Sequence, residues 1–119
     1  MQDLDEFLTY LVNNIDGALA AVIGDADGLV IEQYPKEGQD MSNLTAQWTN
    51  VMTALEVVTA SLKGGKLKEV MVTADSVIGY ARMLDADLFC FVLMNPSGNI
   101  GKARLYSEQI ARQMLEVFA

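Results

Sequence analysis

Hydrophobic residues recur along this chain at two spacings, which predict helices and strands. In three segments the apolar positions fall three and four residues apart, which is typical of a helix with one buried side. These segments run from about Leu4 to Ile15, from about Met41 to Leu62 and from about Ile100 to Val117. In five shorter segments the apolar residues are nearly continuous between turn residues, as in β-strands, and these segments span 18–23, 29–34, 67–73, 77–84 and 88–94.

The turns between the strands predict how the strands connect. Asp25 to Gly28 joins the first two strands as a hairpin. Short turns that contain Asp, at 74–76 and 85–87, join the last three strands into an antiparallel meander. The element order is therefore α-β-β-α-β-β-β-α. We expect the α/β (α+β) class, with one domain over residues 1–119 in which three helices cover a single five-stranded antiparallel sheet.

The composition narrows the classes of function. Acidic residues outnumber basic residues by 16 to 8, and the net charge of −8 disfavours nucleic acid and anionic membranes as partners. The sequence has no histidine and one cysteine, Cys90, which excludes imidazole-based catalysis, an internal disulfide and a paired-cysteine metal site. No apolar run approaches the ~20 residues that cross a bilayer, and the acidic start is unlike a secretion signal. We expect no membrane insertion and a cytoplasmic location.

Two segments come close to ligand-binding motifs but lack residues that the motifs need. A P-loop would require glycine and a hydroxyl residue where Pro96 and Ala103 stand. A calcium loop built on the 25–28 turn would place Ile23 and Tyr34 at its first and last ligand positions. Neither side chain can bind calcium, so the 25–28 segment is interpreted as a turn.

The remaining candidates for chemistry have simpler structural explanations. Cys90 lies between two phenylalanines in an apolar strand, where a thiol behaves as a small hydrophobic group. The carboxylate pairs Asp25 with Asp27 and Asp85 with Asp87 lie in predicted turns, where Asp is expected for its hydrogen bonds to the backbone. We therefore expect no catalytic residue, no cofactor and no metal.

The second helix is almost free of charge. Between Met41 and Leu62, Glu56 is the only ionisable acidic or basic residue, although a helix on a sheet normally turns charges toward water. The side predicted to face the sheet carries Leu44, Trp48, Val51, Met52, Leu55, Val58 and Leu62. The opposite side carries Ala46, Thr49, Asn50, Thr53, Val57 and Ala60.

Small uncharged side chains permit close packing and cost little to bury, so the opposite side predicts contact with a protein partner. A second copy packed antiparallel is the simplest partner, because a twofold axis needs one self-complementary surface. Thr53→Glu or Val57→Lys would then split the dimer, whereas Val51→Lys would unfold the domain. The alternative is an uncharged helix that simply faces water.

The strand at 67–73 opens the meander and gives a second hint of assembly. If its outer edge is free, it can pair with the same strand of another copy. Lys63, Lys66 and Lys68 form the one basic cluster of the sequence nearby. They can protect the strand edge or bind an anion, and the sequence leaves both possibilities open.

Three stretches resemble the roadblock/dynein light chain domain family, whose bacterial and archaeal members include MglB-like regulators of Ras-like GTPases. They run from Ile15 to Ile23, from Asp25 to Ile31 and from Asn99 to Leu105. The predicted element order is also similar, and the resemblance spans essentially the whole chain. It implies a homodimer in which the two sheets join and the second helices pack together.

The resemblance also implies a non-enzymatic adaptor that binds a Ras-like small GTPase through the second helix. The residues that would face the GTPase are Ala46, Asn50, Thr53 and Val57. An arginine finger would have to come from one of the three arginines, Arg82, Arg104 and Arg112, which are otherwise ordinary surface cations. A small-molecule-sensing domain and a purely structural dimerisation module remain as alternatives.

Overall fold

The eight predicted elements form in the predicted order, and their ends shift by no more than about two residues. The protein is described from a computed structural model, which describes residues 3–85 and 87–118. Ala86, in the predicted 85–87 turn, lies outside the described residues. The elements are α1 (Leu4–Asn14), β1 (Ala18–Asp25), β2 (Val30–Tyr34), α2 (Ser42–Ser61), β3 (Glu69–Thr73), β4 (Ile78–Met83), β5 (Leu88–Met94) and α3 (Ile100–Phe118).

The strands form one antiparallel sheet with the order β2-β1-β5-β4-β3. The meander predicted for β3, β4 and β5 is confirmed, and β1 pairs with β5 so that Val22 lies opposite Phe91. The sheet therefore has β2 and β3 as its two edges. Because β3 follows α2 directly in the chain, one sheet edge lies close in sequence to the uncharged helix.

Helices α1 and α3 cover one face of the sheet. Their buried side chains include Phe7, Leu11 and Ile110, which pack against Tyr80 and Val92 in one continuous core. The N-terminus of α1 is capped by the Asp3 carboxylate, which accepts a hydrogen bond from the Glu6 N–H at 2.8 Å. Within residues 3–85 and 87–118, no helix combines the length and the apolar character of a membrane span.

Helix α2 covers the other face through a narrow stripe. Its buried residues are Thr45, Trp48 and Met52, and the Trp48 ring lies 4.7 Å from the Phe91 ring. Gly24 and Gly79 make the close contact possible, since a Cβ at Gly24 would lie 2.7 Å from the Thr45 methyl group. The helix thus rests on two side-chain-free positions of the sheet.

The sequence prediction of the sheet-facing side of α2 is wrong at three positions. Val51 is 42% exposed, Val58 is 48% exposed and Leu62 is 74% exposed. The glycines of the sheet admit Thr45 and Trp48, and this fixes the rotation of the helix so that Val51 points away from the sheet. Because Val51 is exposed, the structure no longer supports the expectation that Val51→Lys unfolds the domain.

Candidate partner interface

The six predicted interface residues of α2 lie on one side of the helix, here called the polar flank (Ala46, Thr49, Asn50, Thr53, Val57 and Ala60). Asn50, Thr53, Val57 and Ala60 are exposed, and Val57 is 64% exposed. Ala46 is also exposed and Thr49 is half-buried, and both lie beside the β1–β2 turn. A Cβ on Gly28, which has φ +84°, would lie 3.2 Å from the Ala46 Cα. The turn therefore borders one end of the polar flank and partly covers Thr49.

The hydroxyl groups of α2 are turned toward its own backbone. Thr49 Oγ1 donates to the Thr45 carbonyl at 2.9 Å, Thr53 Oγ1 donates to the Thr49 carbonyl at 2.9 Å, and Ser61 Oγ donates to the Val57 carbonyl at 3.0 Å. Hydroxyls that are satisfied in this way leave methyl and methylene groups to face outward. The outer surface of α2 is thus less polar than the sequence indicates.

Helix α2 has a second exposed side, made of residues that the helical periodicity predicts to face the sheet. Val51, Val58 and Leu62 recur at helical spacing roughly 100° or more away from the polar flank, and we call them the apolar flank. Their signal in the sequence was the absence of charge around the whole helix. α2 therefore exposes apolar or uncharged side chains on two sides.

The β3 edge (Glu69–Thr73) adds further exposed apolar surface. Met71 is 46% exposed and Val72 is 44% exposed. The register sets Val72 opposite Gly79 and Met71 opposite Tyr80, so their side chains lie on opposite faces of the sheet. Val72 accordingly lies on the α2 face, together with Val70.

A cavity of about 610 Å³ opens between the C-terminal part of α2 and the end of the sheet. Its lining comprises Glu56, Thr59, residues 65–68 and residues 82–85. Lys66 and Lys68 bring positive charge to the lining, whereas Glu56 and Asp85 bring negative charge. Part of the predicted basic cluster thus lines a cavity of mixed charge.

The arginines are engaged in ion pairs. Arg104 Nη2 lies 2.8 Å from Glu69 Oε1, and Arg82 Nη1 lies 3.5 Å from Glu69 Oε2. Arg112 Nη2 lies 2.7 Å from Glu108 Oε1 within α3. An arginine finger would first have to leave its carboxylate partner.

Glu69 is the centre of this network, which sequence reasoning missed. The Tyr80 hydroxyl donates to Glu69 Oε2 at 2.6 Å, and Arg104 Nε donates to the same oxygen at 3.1 Å. Partial burial raises the pKa of the Glu69 carboxyl, but the hydrogen bonds from Arg104 and Tyr80 outweigh it and hold the pKa below its usual value. The network ties the β3 edge to β4 and to α3.

The other candidate reactive side chains are either buried in the core or hydrogen-bonded to the backbone. Burial raises the pKa of the Cys90 thiol to about 12, which disfavours the reactive thiolate. Asp25 Oδ1 accepts hydrogen bonds from the Asp27 N–H at 2.9 Å and from the Leu29 N–H at 3.0 Å. This carboxylate is used to build the turn.

The architecture of this chain also occurs in proteins of known structure. No protein-family model and no curated protein matches the chain. A solved roadblock/LC7 domain from Streptomyces avermitilis superposes with a TM-score of 0.89 over 98% of this chain and 98% of that chain, at 17% sequence identity. The fold is that of the roadblock/LC7 domain.

Structures of MglB show the same roadblock fold. MglB of Myxococcus xanthus matches with a TM-score of 0.85 over 98% of this chain and 97% of that chain, at 12% identity. A structure described as MglB with a tetrameric arrangement matches with a TM-score of 0.84 over 95% of this chain and 85% of that chain, at 14% identity. The resemblance read from the sequence is confirmed by this roadblock architecture.

Proposed function

We propose that this roadblock domain is a non-enzymatic, cytoplasmic homodimeric adaptor that binds and regulates a Ras-like small GTPase through α2. The observation that carries the proposal is the nearly uncharged exterior of α2, where Glu56 is the one acidic or basic residue and Val57 on one flank and Val58 and Leu62 on the other are exposed. Apolar surface of this kind marks sites of protein contact. The resemblance to MglB-like regulators of Ras-like GTPases, which the MglB neighbours support at the level of the fold, is the reason for proposing this class of partner.

The two flanks of α2 suit two kinds of partner. Permanent homodimer interfaces are more apolar than interfaces that form and separate. We assign the apolar flank, together with the β3 edge, to the second copy. The polar flank carries the exposed Asn50 amide among small side chains, and we assign it to the GTPase.

Regulation through this surface would act on the GTPase and require no catalytic group from the adaptor. Arg82, Arg104 and Arg112 all have carboxylate partners. The GTPase brings its own nucleotide and magnesium, so the adaptor can alter hydrolysis by changing the conformation of the switch loops.

The test is titration calorimetry with each Ras-like GTPase of the source organism, loaded with GDP or with a non-hydrolysable GTP analogue. We expect saturable binding to one of them, and Asn50→Lys on the polar flank should weaken that binding at least about tenfold, because the charge is buried on contact. Gln109→Lys, at an exposed position of α3, is the matched control and should bind normally. Dimers that bind none of these GTPases would reject the adaptor function.

The cavity beside the C-terminal part of α2 supports a second candidate, the sensing of a small molecule. Its volume of about 610 Å³ lies within the range of known ligand sites. A metabolite screen by thermal shift would support it if one compound raised the melting temperature in a concentration-dependent manner and Lys68→Ala abolished the shift.

A further inference from the structure

The segment that leads from α2 into β3 has backbone donors that the chain itself does not use. Helix α2 closes where the Gly64 N–H donates to the Thr59 carbonyl at 2.8 Å. The next backbone hydrogen bond along the chain is accepted by the Lys68 carbonyl from the Met83 N–H at 3.0 Å. Within the described part of the chain, the N–H groups of residues 65–67 donate to no other residue. Three consecutive donors are therefore available to a ligand.

Two lysines of the same segment have no carboxylate partner. Among the described residues, neither Lys66 nor Lys68 forms an ion pair, whereas Lys36 and Lys102 do. All the residues from 65 to 68 line the cavity of about 610 Å³. Consecutive free N–H groups and lysine side chains are components from which proteins build anion sites.

The negative charges of the lining do not balance these lysines. Asp85 Oδ1 accepts hydrogen bonds from the Asp87 N–H at 2.7 Å and from the Leu88 N–H at 2.8 Å, so this carboxylate is used by its own turn. Glu56, on the α2 side of the cavity, is the one described carboxylate of the lining without a hydrogen bond or an ion pair. Two free cations against one free carboxylate favour an anionic ligand.

Apolar side chains form another part of the lining. Leu67 and Met83 are half-buried against the core cluster beneath α2, and Leu84 is buried. An inorganic ion would leave these apolar groups in contact with water, whereas an apolar body attached to the anion would cover them. The lining therefore suits a molecule that combines an anionic group with an apolar body.

We propose that this cavity binds a small organic anion, with one phosphate or carboxylate group on an apolar body. The segment 65–68 holds the anionic group through its N–H groups and its lysines, and Leu67 and Met83 contact the apolar body. The assignment rests on the sensing function given above as the second candidate, and it names the chemical class of the ligand. Of the two roles that the sequence left open for Lys66 and Lys68, it selects anion binding.

Nuclear magnetic resonance of the isotope-labelled full chain tests the class of ligand with three probes that share a hexyl chain. Hexyl phosphate should shift the amide resonances of Gly65, Lys66 and Leu67 in a saturable manner, with a Kd in the low millimolar range or below. Hexan-1-ol and hexylamine should bind at least about tenfold more weakly, because they lack the anionic group. Inorganic phosphate should also bind more weakly, because it lacks the apolar body.

Charge variants test which residues hold the anion. Lys66→Gln combined with Lys68→Gln should weaken the binding of hexyl phosphate at least about tenfold. Lys102→Gln removes a lysine outside the cavity, so it is the matched control and should bind like the wild type. Glu56→Gln should strengthen binding about twofold or more, because it removes a like charge from the lining.

The contrary outcomes bear on different claims. Equal binding of hexan-1-ol, or preference for hexylamine, would overturn the anionic class and leave the sensing function standing. Weaker binding by Glu56→Gln would likewise replace the simple anion with a ligand that carries a cation. Shifts confined to residues outside the lining would overturn the site. If hexyl phosphate gives no saturable shift, the proposal is overturned, and the sensing function then depends on the metabolite screen alone.

Discussion

The two faces of the sheet differ in how completely the chain covers them. On the first face, α1 and α3 bury a continuous core that includes Leu8, Tyr80 and Val92, and Glu69 pairs with Arg82 and Arg104 beside it. On the second face, α2 buries three residues and leaves Val58 and Leu62 in contact with solvent. The first face of the sheet is buried by helices of the same chain. The second face leaves apolar side chains exposed, which is typical of a surface that contacts another chain.

The largest expected contrast is between two neighbouring residues of α2. Met52 is 4% exposed in the α2 core, whereas Val51 is exposed. Met52→Lys should unfold the domain, because an unpaired charge would be buried at a cost of several kcal/mol. Val51→Lys should keep the fold, contrary to the expectation from helical periodicity. Circular dichroism during urea denaturation compares the two, and unfolding of Val51→Lys would show that the assigned rotation of α2 is wrong.

A second contrast compares leucines on the two faces. Leu11 is fully buried against α3 and the sheet, so Leu11→Ala should lower the free energy of unfolding by about 2–5 kcal/mol. Leu62→Ala should change it by less than about 0.5 kcal/mol in the monomer, because Leu62 is largely exposed. Both should be measured in a Val58→Lys background, where dimerisation does not contribute. Equal losses would contradict the comparison of the faces.

The third contrast separates the two flanks of α2. Val58→Lys on the apolar flank should weaken dimerisation at least about a hundredfold, because the new charge would be buried without a partner. The sequence analysis predicts that Val57→Lys splits the dimer. With the apolar flank assigned to the second copy, Val57→Lys on the polar flank should instead leave the dimer intact and weaken GTPase binding. Analytical ultracentrifugation measures the first effect. If Val57→Lys dissociates the dimer and Val58→Lys does not, the flanks are assigned the wrong way round.

The smallest expected effect is a dependence of stability on pH, and it arises on the sheet face that α1 and α3 cover. Burial, together with the hydrogen bond to Glu69, raises the pKa of Tyr80 to about 12. A raised pKa in the folded state stabilises the fold below the unfolded pKa near 10, and this stability is lost as pH rises toward 12. The expected loss is roughly 2 kcal/mol.

Cys90 must be controlled in this measurement, because burial raises its pKa to about 12 as well. In a Cys90→Ala background, Tyr80→Phe should therefore flatten the fall in stability between about pH 10 and pH 12. Urea denaturation at fixed pH values measures this. A curve that stays equally steep without the Tyr80 hydroxyl would remove Tyr80 as its cause.

The sequence predicted the elements and their order, because these depend on local periodicity and on turns such as 25–28. It left open whether β3 lies at an edge of the sheet, which the strand order establishes. The rotation of α2 could not be predicted in this way. The helix is apolar or uncharged nearly all round, so its periodicity does not single out one face. The deciding contacts come from Gly24 and Gly79, which lie far away in the sequence and admit Thr45 and Trp48.

The Glu69 network could not be predicted from the sequence, for a related reason. Tyr80 and Arg104 lie 11 and 35 residues from Glu69, and only the pairing of β3 with β4 and the packing of α3 bring them together. No short sequence motif predicts contacts between residues this far apart in the chain. The proposed interface residues of α2 were easier to select from the sequence, since a missing charge is visible in the sequence itself, and their role stays a prediction.

Multi-angle light scattering of the wild-type protein at tens of micromolar tests most directly whether a second copy completes the α2 face. One chain has a mass of 13.0 kDa. The proposal predicts a single species of twice that mass for the wild type, and a species of the single-chain mass for folded Val58→Lys. A wild-type protein that scatters as one chain under these conditions would contradict the proposal.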